Sequence, residues 1–205
     1  MFKNEEEIVE HLKRIKDVSS KRGFDGELMY FGCQVNSDRA LSEISNLGNT
    51  FLIYALDNFT KREMLLSKTK SLITQENAKD TLLRAKEYGM DTSISYISGI
   101  DSLEDMSKGF TFIKDSITRF PIINIYQIQT PQQAKILNNE ATDLEFYLKS
   151  RLELEKIFED TGLKPKRWEN YRPLWYKYYN GEELPDNSFG QLEKVKRRVN
   201  NGRIS

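Results

Sequence analysis

Four short segments carry the residues able to do chemistry in this chain. The segment ALDNFTKR presents Asp57, Asn58, Lys61 and Arg62 together. A carboxylate and a carboxamide side by side accept hydrogen bonds from ribose hydroxyls or an amino group, and an arginine clamps a carboxylate through two parallel bonds. The plainer alternative is that Asp57 or Asn58 caps the next helix. In SGIDS, Gly99 suits the close approach of a backbone to a flat ligand, with Asp101 or Ser102 as an ordinary cap beside it. In NIYQIQTP, alternation puts Asn124, Tyr126 and Ile128 on one strand face and Gln127 and Gln129 on the other, and a polar residue facing an interior needs a partner. GCQVN contributes Cys33, Gln34 and Asn36. A lone cysteine is more often a small buried hydrophobe than a nucleophile, and the single histidine, His11, falls on a different element.

These segments share a setting. Each closes an apolar run that reads as a strand, and each is followed by a helical pattern. Asn4 caps a first helix carrying Ile8, Leu12, Ile15 and Val18 at helical spacing; Leu28–Phe31 is a short strand, and Ser37 or Asp38 opens a helix with Leu41 and Ile44. Thr50–Leu56 is almost wholly apolar, as expected of a strand covered on both faces. Met64–Leu66 marks a short helix, and Thr74 or Gln75 begins a longer one that stops at Gly89. Thr92–Ile97 is the third strand, Ser102 caps a helix with Asp105 completing a weak capping box, and Pro121 leads into a fourth strand, Ile122–Ile128. In a parallel βα series the strand C-termini share one face, and ligands bind there.

The expected architecture is therefore α/β: an incomplete (β/α) barrel of about four parallel strands with flanking helices over residues 1–140. A closed eight-fold barrel needs about 250 residues, and this chain has 205. From Pro131 no further strand is expected. Helices follow over Pro131–Leu137 and Thr142–Phe158, and residues 141–205 read as a helical, aromatic-rich extension packed on the barrel. The segment WENYRPLWYKYY, with Trp168, Tyr171, Trp175 and Tyr176, suits packing better than stacking on bases, and KVKRRVNNGR reads as a solvated basic end. An incomplete parallel sheet exposes its first strand, so poor solubility or self-association through that edge is expected.

Composition narrows the function classes. The 31 basic residues balance the 31 acidic ones, which gives no case for nucleic acid as a partner. One cysteine and one histidine rule out a disulfide framework and any all-cysteine or multi-histidine metal site built by this chain alone. No apolar run is long enough to span a membrane, and the usage of cysteine suits a cytoplasmic location.

Taken in order, the strand-end motifs resemble the C-terminal half of a radical S-adenosylmethionine (SAM) protein of the biotin-synthase-like kind, over about residues 5–140. Members of that superfamily have a partial (β/α)6 barrel. A CxxxCxxC loop after their first strand holds a four-iron–four-sulfur cluster, which reduces SAM to a 5′-deoxyadenosyl radical that abstracts a substrate hydrogen. The third strand here is similar to the family's GxIxGxxE motif: Ser95 replaces the first glycine, Ile97 and Gly99 match, and Ser102 stands where the acid is usual, with Glu104 two positions on. ALDNF resembles the fourth-strand end, FPIINIYQIQTP the sixth strand, and GCQVN the end of the third. The resemblance implies SAM contacts at Asp57, Asn58, Ile97, Gly99, Tyr126 and Gln127, with substrate contacts at Arg62, Asn36 and Gln129; Asp57, Asn58, Tyr126 and Gln127 are also within reach of substrate. It names no catalytic residue. CxxxCxxC is absent from the chain, as is the family's GGE-type motif, so the implied cofactors divide. SAM falls to this chain, whereas the cluster falls to an N-terminal half or a partner chain that completes the barrel. A non-catalytic nucleoside- or SAM-binding or protein-interaction module is the second reading. An unrelated (β/α)-barrel lyase or isomerase using Asp57 and Lys61 is the third.

Overall fold

Small polar residues open the helices. The Asn4 carboxamide accepts the Glu7 N–H at 3.0 Å and starts α1 (Glu5–Lys21), whose first turn carries three glutamates and whose last turn carries Lys21, both signs complementing the helix dipole. Strand β1 is Leu28–Gly32. The Ser37 hydroxyl caps α2 (Asp38–Ser45) by accepting the Ala40 N–H, and β2 follows at Thr50–Asp57. Two single-turn helices, α3 (Arg62–Leu65) and α4 (Lys68–Ser71), precede α5 (Gln75–Glu87), which Thr74 and Asn77 cap reciprocally. After β3 (Asp91–Ser98) the Ser102 hydroxyl opens α6 (Leu103–Ile113), and a 3-10 turn leads to β4 (Ile122–Ile125). Thr130 and Gln133 box the start of the short α7 (Pro131–Ala134), and Asp143 caps α8 (Leu144–Ile157). This computed structural model describes residues 2–166 and 178–185.

The four strands form one parallel sheet in sequential order, β1-β2-β3-β4, curled into a half-barrel with helices on its outer side. Tyr30 is in register with Leu52 and Leu52 with Thr92, and Ile97 with Asn124. Strand alternation then divides the residues between two faces. Tyr30, Leu52, Tyr54, Leu56, Ile94, Tyr96 and Ile123 join α-helical residues such as Ile8, Leu41, Leu82 and Phe110 in the main core. The intervening residues Phe51, Ile53, Ala55, Ser93 and Ser95 are also buried, so β2 and β3 are covered on both faces, as their apolar runs require. Strand β1 pairs only with β2, and its Met29 and Phe31 side chains are exposed.

At the N-terminal end of the sheet, Arg119 bridges Glu27, just before β1, and Asp91, the first residue of β3. Its guanidinium also lies 4.3 Å from the centre of the Phe51 ring. One side chain thereby ties the start of three strands.

Two expectations need correction. Strand β4 stops at Ile125 rather than Ile128. The Tyr126 N–H still reaches the Ser98 carbonyl at 2.9 Å, but the Gln133 side chain then takes the N–H groups of Gln129 and Thr130 and turns the chain into α7. The extension after residue 140 is also not purely helical. Helix α8 packs on α6, with Phe158 just past its end meeting Phe110, but Tyr178–Tyr179 (β5) and Glu182–Glu183 (β6) form an antiparallel hairpin. Its turn is Asn180–Gly181, both at positive φ, the pair a tight two-residue hairpin prefers. The aromatic residues 167–177 and the basic tail lie outside the described residues.

Candidate functional site

The strand C-termini all reach the same rim because the strands are parallel, and the backbone there is unusual. The register of β2 against β3 slips between Ala55 and Asp57. Asp57 then sits at φ 70°, and the N–H of Asn58 returns to the carbonyl of Leu56 at 3.0 Å, two residues back. This is a γ-turn with its central residue in the left-handed region, a conformation an aspartate holds only under constraint from its surroundings. The constraint is visible. Lys70, on α4, pairs with the Asp57 carboxylate at 2.5 Å, both side chains being largely shielded. The Arg62 guanidinium donates to the carbonyls of Leu56, Asn58 and Lys70, tying α3 and α4 to the strand end. Burial pushes the Arg62 pKa down, against the pull of the Asp57 charge.

Asp57 and Asn58 do not act as helix caps. The residue before α3 is Lys61, itself at positive φ and without a side-chain cap, and its ammonium donates to the Ile136 carbonyl at 3.0 Å. The acid–base pair envisaged between Asp57 and Lys61 is therefore not formed; the partner of Asp57 is Lys70. Asn58 is completely buried. Its amide nitrogen donates to the Thr60 carbonyl, while its Oδ1 has no partner. Arg62 Nε and Ser98 Oγ, at the end of β3, are likewise buried without partners. A buried polar atom without a hydrogen bond costs about 1–3 kcal/mol, so the ends of β2 and β3 each carry such a cost.

Asp101 joins the two central loops. It is 1% exposed, and its carboxylate accepts the N–H groups of Phe59 and Thr60 at 2.9 and 2.8 Å and the Thr60 hydroxyl at 2.5 Å. Burial, with the neighbouring Asp101 charge, pushes the Tyr96 phenol far above its ordinary range. Phe59 stacks on Tyr96 at 5.2 Å and meets Phe110 edge-on, so the loop carrying Asn58 is pinned by a carboxylate and by two rings.

Gly99 follows at φ 107°. A Cβ built there would lie 2.9 Å from the Tyr147 hydroxyl and 3.5 Å from Tyr126 Cβ. The close approach that glycine permits is made by a tyrosine of α8, over the position the resemblance gives to adenine. The Gly99 carbonyl accepts the Asn138 N–H at 2.8 Å. Ile97, Ile100, Tyr126 and Ile136 form a small apolar cluster beside it, and burial raises the Tyr126 phenol, whose hydroxyl donates to the Gln133 carbonyl at 3.3 Å.

Of the expected site residues, Asp57, Asn58 and Arg62 are bonded to one another's surroundings, and Ile97, Gly99 and Tyr126 adjoin them across the Asp101 bridge. Gln127 and Gln129 are exposed on the segment after β4. Asn36 belongs elsewhere. Its side chain accepts from Tyr54 and Thr81 hydroxyls at 3.0 and 3.1 Å and donates to the Cys33 carbonyl, and its own carbonyl accepts from Arg84, so it braces the β1–α2 loop against α5. Cys33 is half-buried; burial pushes its thiol up, and the charges of Lys70, Asp57 and Arg62 act on it. Lys70, Asp101 and Tyr147 were not singled out from the sequence as site residues. Lys70 and Asp101 find their partners 13 and 42 residues away, and Tyr147 reaches Gly99 from a helix of the extension, so no local pattern marks them.

Among the described residues no three His, Cys, Asp or Glu side chains are grouped to hold a metal ion, and Cys33 is the chain's one thiol. These residues do not fit an iron–sulfur cluster, which takes several thiolates. They do fit a nucleoside in kind: a carboxylate, a buried carboxamide oxygen and a buried hydroxyl stand beside an apolar wall. Neither a scan of protein-family models nor a search of curated proteins returns a match to this chain.

Proposed function

We propose that this chain forms the adenosine and substrate side of a radical SAM enzyme, with the iron–sulfur cluster carried by a polypeptide segment other than these 205 residues. One observation carries the reading. The sequentially ordered parallel half-barrel gathers Asp57–Asn58, Ile97–Gly99 and Tyr126 at a single rim, and buried polar atoms there lack partners. Bound SAM and cluster would supply the radical chemistry; the chain's own residues bind and orient. Asn58 Oδ1 and the Asp57 carboxylate accept from ribose hydroxyls. Ile97, Gly99 and Tyr126 form the apolar wall for the base. Arg62 acts through the loop it holds, since its guanidinium is already committed to main-chain carbonyls.

Calorimetry with SAM and S-adenosylhomocysteine, on the chain alone and co-expressed with a CxxxCxxC-bearing half-barrel, tests this. The expected result is an iron-containing coloured complex that binds SAM, with affinity falling tenfold or more in Asn58→Ala, about the value of one hydrogen bond to a buried acceptor. Equal binding with and without iron would favour the non-catalytic nucleoside module. Absence of SAM binding in an iron-loaded complex would remove the proposal.

A further inference from the structure

After the edge strand β4 the chain turns back over the strand ends it has already passed. Three hydrogen bonds mark its route. The Tyr126 hydroxyl, just past β4, donates to the Gln133 carbonyl at 3.3 Å. The Lys61 ammonium, in the loop after β2, donates to the Ile136 carbonyl at 3.0 Å. The Asn138 N–H donates to the carbonyl of Gly99, after β3, at 2.8 Å. The segment 133–138 is thus fastened at the ends of three strands. Ile136 packs on Ile100 and Tyr126, with Ile97 and Leu137 against them. The apolar wall at this rim is therefore covered.

The cover is thin. Between residues 131 and 141 only Ile136 and Ala141 are buried, and the one helix there, α7, is a single turn that cannot stand alone. A hydrogen bond between neutral groups holds such a segment by a factor of about 2–10, and one from an ammonium by about tenfold or more. Strands β2 and β3, buried on both faces, are held far more firmly, so the segment opens while the sheet stays intact.

We propose that residues 131–141 form a strap closed over Ile97, Gly99 and Tyr126, with Lys61 as its latch, and that a guest reaches this wall only when the strap lifts. The strap rests on the functional reading above only for the identity of the guest.

Thiol labelling tests the opening without any guest. In a Cys33→Ser background, Ile100→Cys sets one thiol under Ile136, and Ile94→Cys sets one in the main core, both at positions that are 0% exposed. Iodoacetamide should label position 100 on the order of a hundredfold faster than position 94, with a shallow urea dependence at 100 and a steep one at 94, because local opening exposes little surface. Lys61→Met should raise labelling at position 100 about tenfold and Tyr126→Phe about threefold, each keeping the shallow slope. Adenosine, the probe for the guest, should bind Lys61→Met tighter by the same factor as the labelling rises, since the competent state is that much more populated. Equal rates and slopes at positions 100 and 94, labelling unmoved by Lys61→Met, or adenosine bound no better by that variant would overturn the strap. Labelling as expected with no adenosine bound by either chain keeps the strap and discards the nucleoside reading.

Discussion

The two ends of the sheet are built on different terms. At the N-terminal end, Arg119 is matched by Glu27 and Asp91 and stacked on Phe51, so its charge is fully answered. At the C-terminal end, Asp57 and Lys61 occupy left-handed backbone, Gly99 takes a positive φ that only glycine holds freely, and Asn58, Arg62 and Ser98 each leave a buried polar atom without a partner. Stability is concentrated below and spent above. That division is the usual one in βα folds, where the strand C-termini carry function and the opposite end carries none.

Substitutions can break this contrast. The largest effect is expected at Asp101, which belongs to the upper end but is fully satisfied. Asp101→Ala leaves buried donors of Phe59 and Thr60 without an acceptor and should cost about 3 kcal/mol in urea unfolding, with SAM affinity falling as well. Arg119→Met should cost about 2 kcal/mol, less than a fully buried pair would because Asp91 is partly solvated, and should leave SAM affinity unchanged. A loss of affinity in Arg119→Met would erase the division of labour. Gly99→Ala should cost about 1–2 kcal/mol, through both its positive φ and the Tyr147 hydroxyl, and Tyr147→Phe should recover only the second part.

Alkali sharpens the contrast without mutation. Burial raises the phenols of Tyr30 and Tyr179 to about 12. Their folded pKa values exceed the ordinary 10, so the unfolded chain releases these protons first. The stability they contribute is complete below about pH 10 and is lost as the pH climbs toward about 12. Tyrosinate absorbance and ellipticity should therefore change together in that window. The smallest effect on stability is expected at the lateral edge. Phe31→Lys on exposed β1 should alter unfolding by less than about 0.5 kcal/mol, yet suppress any aggregation that runs through that edge.

Much of the scaffold is legible in the chain because it is local. Asn4, Ser37, Thr74 and Ser102 announce helices by offering an acceptor three residues ahead, and β2 announces its burial by an unbroken apolar run. The site is less legible because its bonds are long-range. The pattern pairs Asp57 with Lys61, but geometry pairs it with Lys70, since the γ-turn swings the carboxylate toward α4. Asp101 looks like a cap beside Ser102, but its carboxylate faces a loop 42 residues earlier. Alternation overshoots the end of β4, because it continues through Gln127 and Gln129 after the hydrogen-bonded ladder has been replaced by the Gln133 side chain. Asn180–Gly181, by contrast, is a local hairpin sign that the dense aromatics around it obscured.

Tyr147 and Leu148 are neighbours in sequence but point to opposite errands. One hydroxyl hangs over Gly99 at the mouth of the half-barrel; the next side chain faces the solvent. A helix moves as a rod, so leverage applied to its outer surface is felt at the mouth. Any guest that pushes Tyr147 aside must therefore work against the packing of α8 on α6, and by thermodynamic reciprocity a change that shifts that packing must alter the guest's affinity.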